Sequence, residues 1–315
     1  MTDIARIAAQ VGFLYGPFAL AIYFAFIVMS IPDLSIEGSF GLGGGVFASQ
    51  VAGGNSPYGA LAFAVGVGIV VGLVASILHS RARLNPLLVG ILVSTAAWSI
   101  NLRLMGRANI SLLKSHLLID DIERYGIDRS TAILISGVGT TAVVGAALVW
   151  FLSTRVGLTL LASGRNIATA RSLGVPTERR QMMALAIANG LAALSGTLVV
   201  QANGFADVQS QLGTVVIGIA AIMIGSSLIR GRSILSGVAA VALGVFLYRF
   251  FVGWALDLGL PATDIRLVTS VLVLVALLIR AKGRGWLLGF GGSARSVRRR
   301  QNTNFLESDV VTPIL

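Results

Sequence analysis

The 315-residue chain contains no cysteine and only two histidines, His79 and His116. A disulfide framework and a thiolate-ligated metal are therefore excluded, and a histidine-based metal or catalytic cluster is not expected. Charge is equally scarce. Asp, Glu, Lys and Arg make up 12% of the residues, against about 25% in soluble globular domains, so the chain lacks the polar surface of a soluble fold. Signature loops are missing too: there is no G-x-x-x-x-G-K-[ST] phosphate loop, no H-E-x-x-H and no G-x-S-x-G. The one carboxylate doublet, Asp120–Asp121, has no second acidic cluster with which to hold a divalent cation and reads as solvated loop charge. Nothing supports an enzyme. The opening MTDIARIAAQ has neither a basic n-region nor a small-residue cleavage site, so no removable signal peptide is expected.

What the chain has in quantity is apolar surface and glycine: 55% hydrophobic residues and 38 glycines. Glycine suits membrane helices that pack through small residues, and spacings such as Gly41…Gly45 and Gly68…Gly72 let backbones approach. A span needs about 20 apolar residues to cross a hydrocarbon core of about 30 Å. On that ruler the candidates are 11–31, 58–78, 87–105, 131–153, 182–202, 213–229, 235–256 and 265–281. A ninth piece, GSFGLGGGVFASQVAGG at 38–54, is short and Gly-rich and reads as a broken or re-entrant segment. The expected fold class is an all-α integral membrane protein of about eight to nine transmembrane helices.

The net charge of +11 raises the possibility of nucleic-acid binding, and its distribution argues against it. Segment 79–86 has two Arg and no acid, 154–181 has five Arg against one Glu, 230–234 has two Arg, and 280–300 has seven basic residues and no acid. The intervening loops are balanced or acidic: 106–130 carries four of each sign, and 203–212 and 257–264 carry only Asp. Basic loops face the cytoplasm, so the C-terminus is expected inside. The N-terminal side stays open: it is outside if 38–54 spans and inside if that segment re-enters, with Asp33 and Glu37 leaning to the second. Residues 1–291 are expected to form the membrane domain and 292–315 a basic, disordered tail on the anionic bilayer surface.

Polar groups at span edges are candidates for a solute path, because an ionisable group in hydrocarbon is costly unless paired or facing water. Arg249 lies fourteen residues beyond Leu235, about 21 Å along a helix. It reads either as a snorkelling side chain or as a fixed positive charge on the translocation path. Asn101 and Arg103, then Gln201, Asn203 and Asp207, with Glu37, fall near one level at the outer mouth. They read as a polar ring that receives solute or as ordinary interfacial polarity. Between two apolar runs lies SGRNIATARSLGVPTERRQ, 163–181. There Asn166 would cap a helix over 167–173, Gly174 suits the left-handed position after it, and Pro176 prevents continuation.

Several stretches together resemble the permease subunits of bacterial ABC transporters of the branched-chain amino acid and ribose importer superfamily, and more closely the group associated with tryptophan- and tyrosine-type uptake. They are LSIEGSFGLG (34–43), ARLNPLLVGILVSTAAWSINLRLMGRANISLL (82–113), GRNIATARSLGV (164–175), NGFADVQSQLGTVVIGIAAIMIG (203–225) and FLYRFFVGWALDLGLPATDIRL (246–267). The resemblance implies a coupling helix at 164–174, through Gly164, Arg165, Asn166, Ala170, Arg171 and Gly174, docking on a separate ATPase that binds ATP and magnesium. It also implies an external solute-binding protein, a permease homodimer or a related second permease, and an amino-acid solute. Three positions depart from the pattern: Ile167 and Ala168 stand where acids are usual, and Ser226 where Glu is usual. The alternative class, an ion-coupled secondary transporter or channel, needs a carboxylate near the midplane, and none lies in those eight candidate spans.

Overall fold

In a computed structural model the described residues are 2–282, except Arg83, Arg230, Arg232, Ala262 and Thr263. Those three arginines, everything from 283 onward and so the tail 292–315 lie outside the described residues. The chain divides into a unit of residues 1–273 and a second of 274–315, of which only the end of the last helix is described.

The first unit opens with α1 (Thr2–Leu14) and α2 (Gly16–Ile22), which continues as a π-helical segment, Tyr23–Val28. Then come α3 (Ser35–Ala52), α4 (Pro57–Ala82) and α5 (Pro86–Met105). A loop holding β1 (Asn109–Ser111) and α6 (Leu118–Glu123) leads to α7 (Arg129–Ser153), α8 (Arg155–Arg165) and α9 (Ile167–Ser172). α10 (Thr177–Asn203) is followed by β2 (Phe205–Asp207), a 3-10 turn (Val208–Gln211), α11 (Thr214–Leu228), α12 (Ile234–Asp257) and α13 (Ile265–Lys282). α10 is the hub: 72% of its apolar window lies inside the protein, against 28% for α4 and α5, which form an outer wall.

Among the described residues six segments are long and apolar enough to cross a membrane, or seven if the bent pair Ile4–Leu14 and Gly16–Val28 is one span. α3 is not among them. The break expected within 38–54 also falls elsewhere. α3 runs unbroken through that segment, and the chain bends by 51° at Tyr15 instead. Pro17 explains the bend: it has no N–H, so the Phe13 carbonyl loses its helical partner. That carbonyl accepts from Thr141 Oγ1 at 2.8 Å, and the Leu14 carbonyl accepts from Ser195 Oγ at 2.7 Å. The glycines of 38–54 serve close approach rather than a break. Across the α3–α10 seam a Cβ on Gly196 would sit 2.0 Å from the Phe40 carbonyl oxygen.

Contacts also define two ends of the bundle. Arg6 pairs with Asp128 at 3.1 Å and Gln10 donates to the Ser130 carbonyl, so the start of α1 lies beside the start of α7. β1 pairs antiparallel with β2, Asn109 opposite Asp207, at the same end. At the other end Val28 and Met29 abut Gly164, and Leu34 abuts Gly90. α3 therefore runs from the second end to the first, where Ser49 Oγ donates to the Leu104 carbonyl. The N-terminus shares its end with loop 106–130, opposite to the lean drawn from Asp33 and Glu37. Both acids are engaged by the protein interior and so do not report on loop sidedness.

Candidate functional site

The 3-10 turn after β2 folds back into the bundle, so that α11 begins well inside it. Gln211, 2% exposed, meets α3 where Gly41 leaves room. Gly213 takes φ +85° to start α11, and its N–H donates to Glu37 Oε1. A carboxylate at a helix N-terminus is favoured by the helix dipole.

Beside this junction lies a cavity of about 380 Å³ whose lining includes Tyr15, Ser210, Thr214, Tyr248, Arg249 and Ser270. Arg249 is its cation. The guanidinium carbon sits 4.5 Å from the Tyr15 ring centroid and 5.8 Å from that of Tyr248. Such ring contacts stabilise a cation held away from bulk water. Nε of Arg249 is buried without a hydrogen-bond partner. Tyr248 is itself held by Thr269 at 2.7 Å. The arginine therefore lies over aromatic rings at a cavity.

The rest of the polar ring does not assemble there. Asn101, 1% exposed, donates to the Gly41 carbonyl at 3.0 Å and pins α5 to α3. Gln201, also 1% exposed, accepts from the Leu118 N–H at 3.2 Å and pins loop 106–130 to α10. Asp207 pairs in the two-stranded ribbon and accepts from the Gln209 N–H, capping the 3-10 turn. Asn203 borders a crevice of about 20 Å³, too small for a solute, and Arg103 is exposed at the end of α5.

At the opposite end, α9 is a capped knob. Asn166 accepts from the Thr169 N–H at 3.1 Å. Gly174 takes φ +77°, with its N–H on the Arg171 carbonyl at 2.9 Å and Val175 N–H on that of Ala170 at 3.0 Å. The expected helix over 167–173 is Ile167–Ser172. Ala170 is buried beneath it, while Arg165, Ile167, Arg171 and Leu173 are exposed. Arg171 donates through Nε to Thr177 at 3.0 Å, and its 3.8 Å pair with exposed Glu178 adds little. Gly164 leaves no room for a side chain: a Cβ would lie 2.2 Å from the Val28 carbonyl oxygen.

Sequence reasoning missed a third cluster, around Asp33. Its Oδ1 accepts from Ser35 N–H at 2.9 Å, and its Oδ2 from Ser35 Oγ at 2.5 Å and Asn189 Nδ2 at 3.2 Å. Burial pushes this carboxyl up from its ordinary value, and the bonds from Ser35 and Asn189 oppose that. Asn189 standing alone in ALAIANGLAAL was the available signal. Among the described residues no group of three or more His, Asp or Glu could hold a metal.

Residues 4–281 match the family described as branched-chain amino acid transport system, permease component. The chain belongs to this permease family. The permease is 35% identical over 260 residues to the tyrosine transport system permease protein of Clostridioides difficile, covering 82% of this chain and 85% of that one. It is 31% identical to the uncharacterized protein RP368 of Rickettsia prowazekii, covering 83% and 92%. A shorter stretch is 35% identical to the autoinducer 2 import system permease protein LsrC of Salmonella typhimurium, covering 37% and 33%. No solved structure matches. The permease is thus the multi-pass membrane component of an ABC transporter, and not itself an enzyme.

Proposed function

We propose that this permease imports an amino acid, whose carboxylate meets Arg249 in the cavity at the start of α11. The observation that carries the reading is Arg249 itself, a cation stacked on the Tyr15 ring in the lining of a space of about 380 Å³. Tyrosine transport in the Clostridioides relative accords with it. The cavity lies towards the end that holds loop 106–130, which the balanced charge there makes the outer end. There an external binding protein would deliver solute, past Arg103 and Asn203. The α9 end faces the cytoplasm, and Gly164, Arg165, Asn166, Ala170, Arg171 and Gly174 form the coupling helix that docks on the ATPase. Its exposed Ile167 and Ala168 replace the usual acids with apolar contact, to which exposed Leu173 adds.

The chain crosses the inner membrane eight or nine times, α3 included because it joins the two ends. Residues 1–291 form the membrane domain, 292–315 a basic tail, and two permeases form the working dimer. The ion-coupled alternative gains no support: Glu37, the carboxylate next to the cavity, already accepts from Gly213.

Uptake in proteoliposomes holding the permease, its ATPase and its binding protein tests the solute assignment. Arg249→Gln removes a charge-assisted bond of about 1.5–3 kcal/mol, hence roughly tenfold or more in apparent affinity. Unchanged uptake at low solute would overturn it.

A further inference from the structure

We propose that Tyr15 is a positioning residue for Arg249, and that the rod from Gly16 to Val28 carries movement of the α9 knob to it. This rests on the coupling and solute assignments above and goes beyond them.

The rod has both ends committed. Gly16–Ile22 and the π-helical Tyr23–Val28 form one segment on the far side of the 51° bend, about 20 Å long at the helical rise. At its inner end the Val28 carbonyl and Met29 Cα pack so tightly on Gly164 that a Cβ would stand 2.2 and 2.9 Å away. At its outer end Tyr15 lies beneath the Arg249 guanidinium at 4.5 Å and stacks on Phe40 at 5.5 Å. All of Gly16–Ile22 is buried, so displacement along the axis is passed on rather than dissipated into solvent or lipid.

The joint with α1 is built to move. Pro17 removes one backbone bond across it, and two hydroxyls from different helices, Thr141 on α7 and Ser195 on α10, hold the Phe13 and Leu14 carbonyls. A hydroxyl rotates to follow its acceptor, whereas a helical N–H cannot. At the other end of the rod a π-helical segment, a form frequent at functional sites, leads to the contact with Gly164, at the end of α8 just before the knob. When the ATPase displaces α9, the rod shifts Tyr15, and the guanidinium loses or regains its ring. The cavity then changes between holding and releasing a carboxylate.

The absence of cysteine from the chain supplies a clean probe. Ser210→Cys places one thiol in the cavity lining, and its labelling rate by a charged maleimide is read in the reconstituted transporter without nucleotide and with trapped ATP. The expected rates differ by about fivefold, and Tyr15→Leu abolishes the difference while ATPase association persists; Gly164→Ala abolishes the difference too. Tyr15→Phe, which keeps the ring, restores it, and this variant covers the case in which Gly164→Ala does not fold. In uptake the double variant Gly164→Ala/Tyr15→Leu is no worse than the worse single, because both cut one path. A nucleotide-dependent difference that survives Tyr15→Leu, or multiplicative effects in the double variant, overturns the proposal. Arg171→Glu separates the two levels. If it leaves ATPase association intact, the coupling assignment fails and the rod with it; if it abolishes association while Tyr15→Leu is silent, only the rod fails.

Discussion

Replacing Asn189 with leucine should destabilise the permease strongly, and in a pH-dependent manner. The side chain is fully buried and makes four bonds. It donates to Asp33 Oδ2 at 3.2 Å and to the Leu185 carbonyl at 2.9 Å, and accepts from Ser39 Oγ at 2.6 Å and Ser35 Oγ at 3.2 Å. The Leu185 carbonyl keeps its place in the helix, and Ser35 keeps Asp33. The losses are therefore one bond to a buried carboxylate, about 1.5–3 kcal/mol, and one hydroxyl acceptor, about 1 kcal/mol. Their sum, about 2.5–4 kcal/mol, corresponds to a fall in Tm of roughly 5–16 °C at the 2–4 °C per kcal/mol of larger domains.

The sign of the pH dependence follows from Asp33. Burial raises its pKa in the folded state. The stability this contributes is fully present below the ordinary carboxylate value and is lost as pH rises through the folded one. Asn189 donates to the charged form and limits that loss, so the deficit of Asn189→Leu should be larger at about pH 8 than at about pH 5. Asp33→Asn in the same background should flatten the difference. Thermal unfolding of detergent-purified protein, followed by size-exclusion fluorescence, measures both. A Tm within about 2 °C of the parent, or a deficit independent of pH, would refute the reasoning.

Gly225→Ala should disrupt the α11–α12 seam, because its Cβ would stand 1.7 Å from the Ala240 carbonyl oxygen, against backbone that cannot yield locally. The cost is about 3 kcal/mol or more, seen as loss of the monodisperse peak in detergent, and an unchanged peak would contradict the packing. Asp128, exposed at the start of α7, is held below its ordinary pKa chiefly by the side-chain and backbone bonds from Thr131, with Arg6 adding a smaller part. Its contribution is present above the unfolded value and lost as pH falls through the folded one. Asp128→Ala should lower Tm at neutral pH, with the gap closing in acid.

Local features of this permease were legible in the chain itself. Asn166, Gly174 and Pro176 announced a short helix bounded on both sides, since a cap depends on residues three or four apart. Arg249 stood out because a charge inside an apolar run is conspicuous whatever surrounds it. Asn101 and Gln201 were visible as polar residues but not as pins, since their partners, Gly41 and Leu118, lie 60 and 83 positions away. Tyr15 gave no polar signal, and the candidate span 11–31 ran straight across it and the Gly16–Pro17 pair that follows.

Composition, span length and local caps established a membrane protein, its main apolar helices and the short capped helix after Asn166, because hydropathy and caps are properties of single segments. Only the tertiary structure decided that the break lies at Tyr15 rather than in 38–54, which end holds the N-terminus, and that Glu37, Tyr15 and Arg249 converge at the start of α11. Inside a bilayer apolar burial does not choose between neighbours, so helix adjacency is set by close backbone contact and matched polar pairs. Those contacts join residues more than a hundred positions apart, such as Ser195 with Leu14 and Asn189 with Asp33, and no periodicity within one helix encodes them.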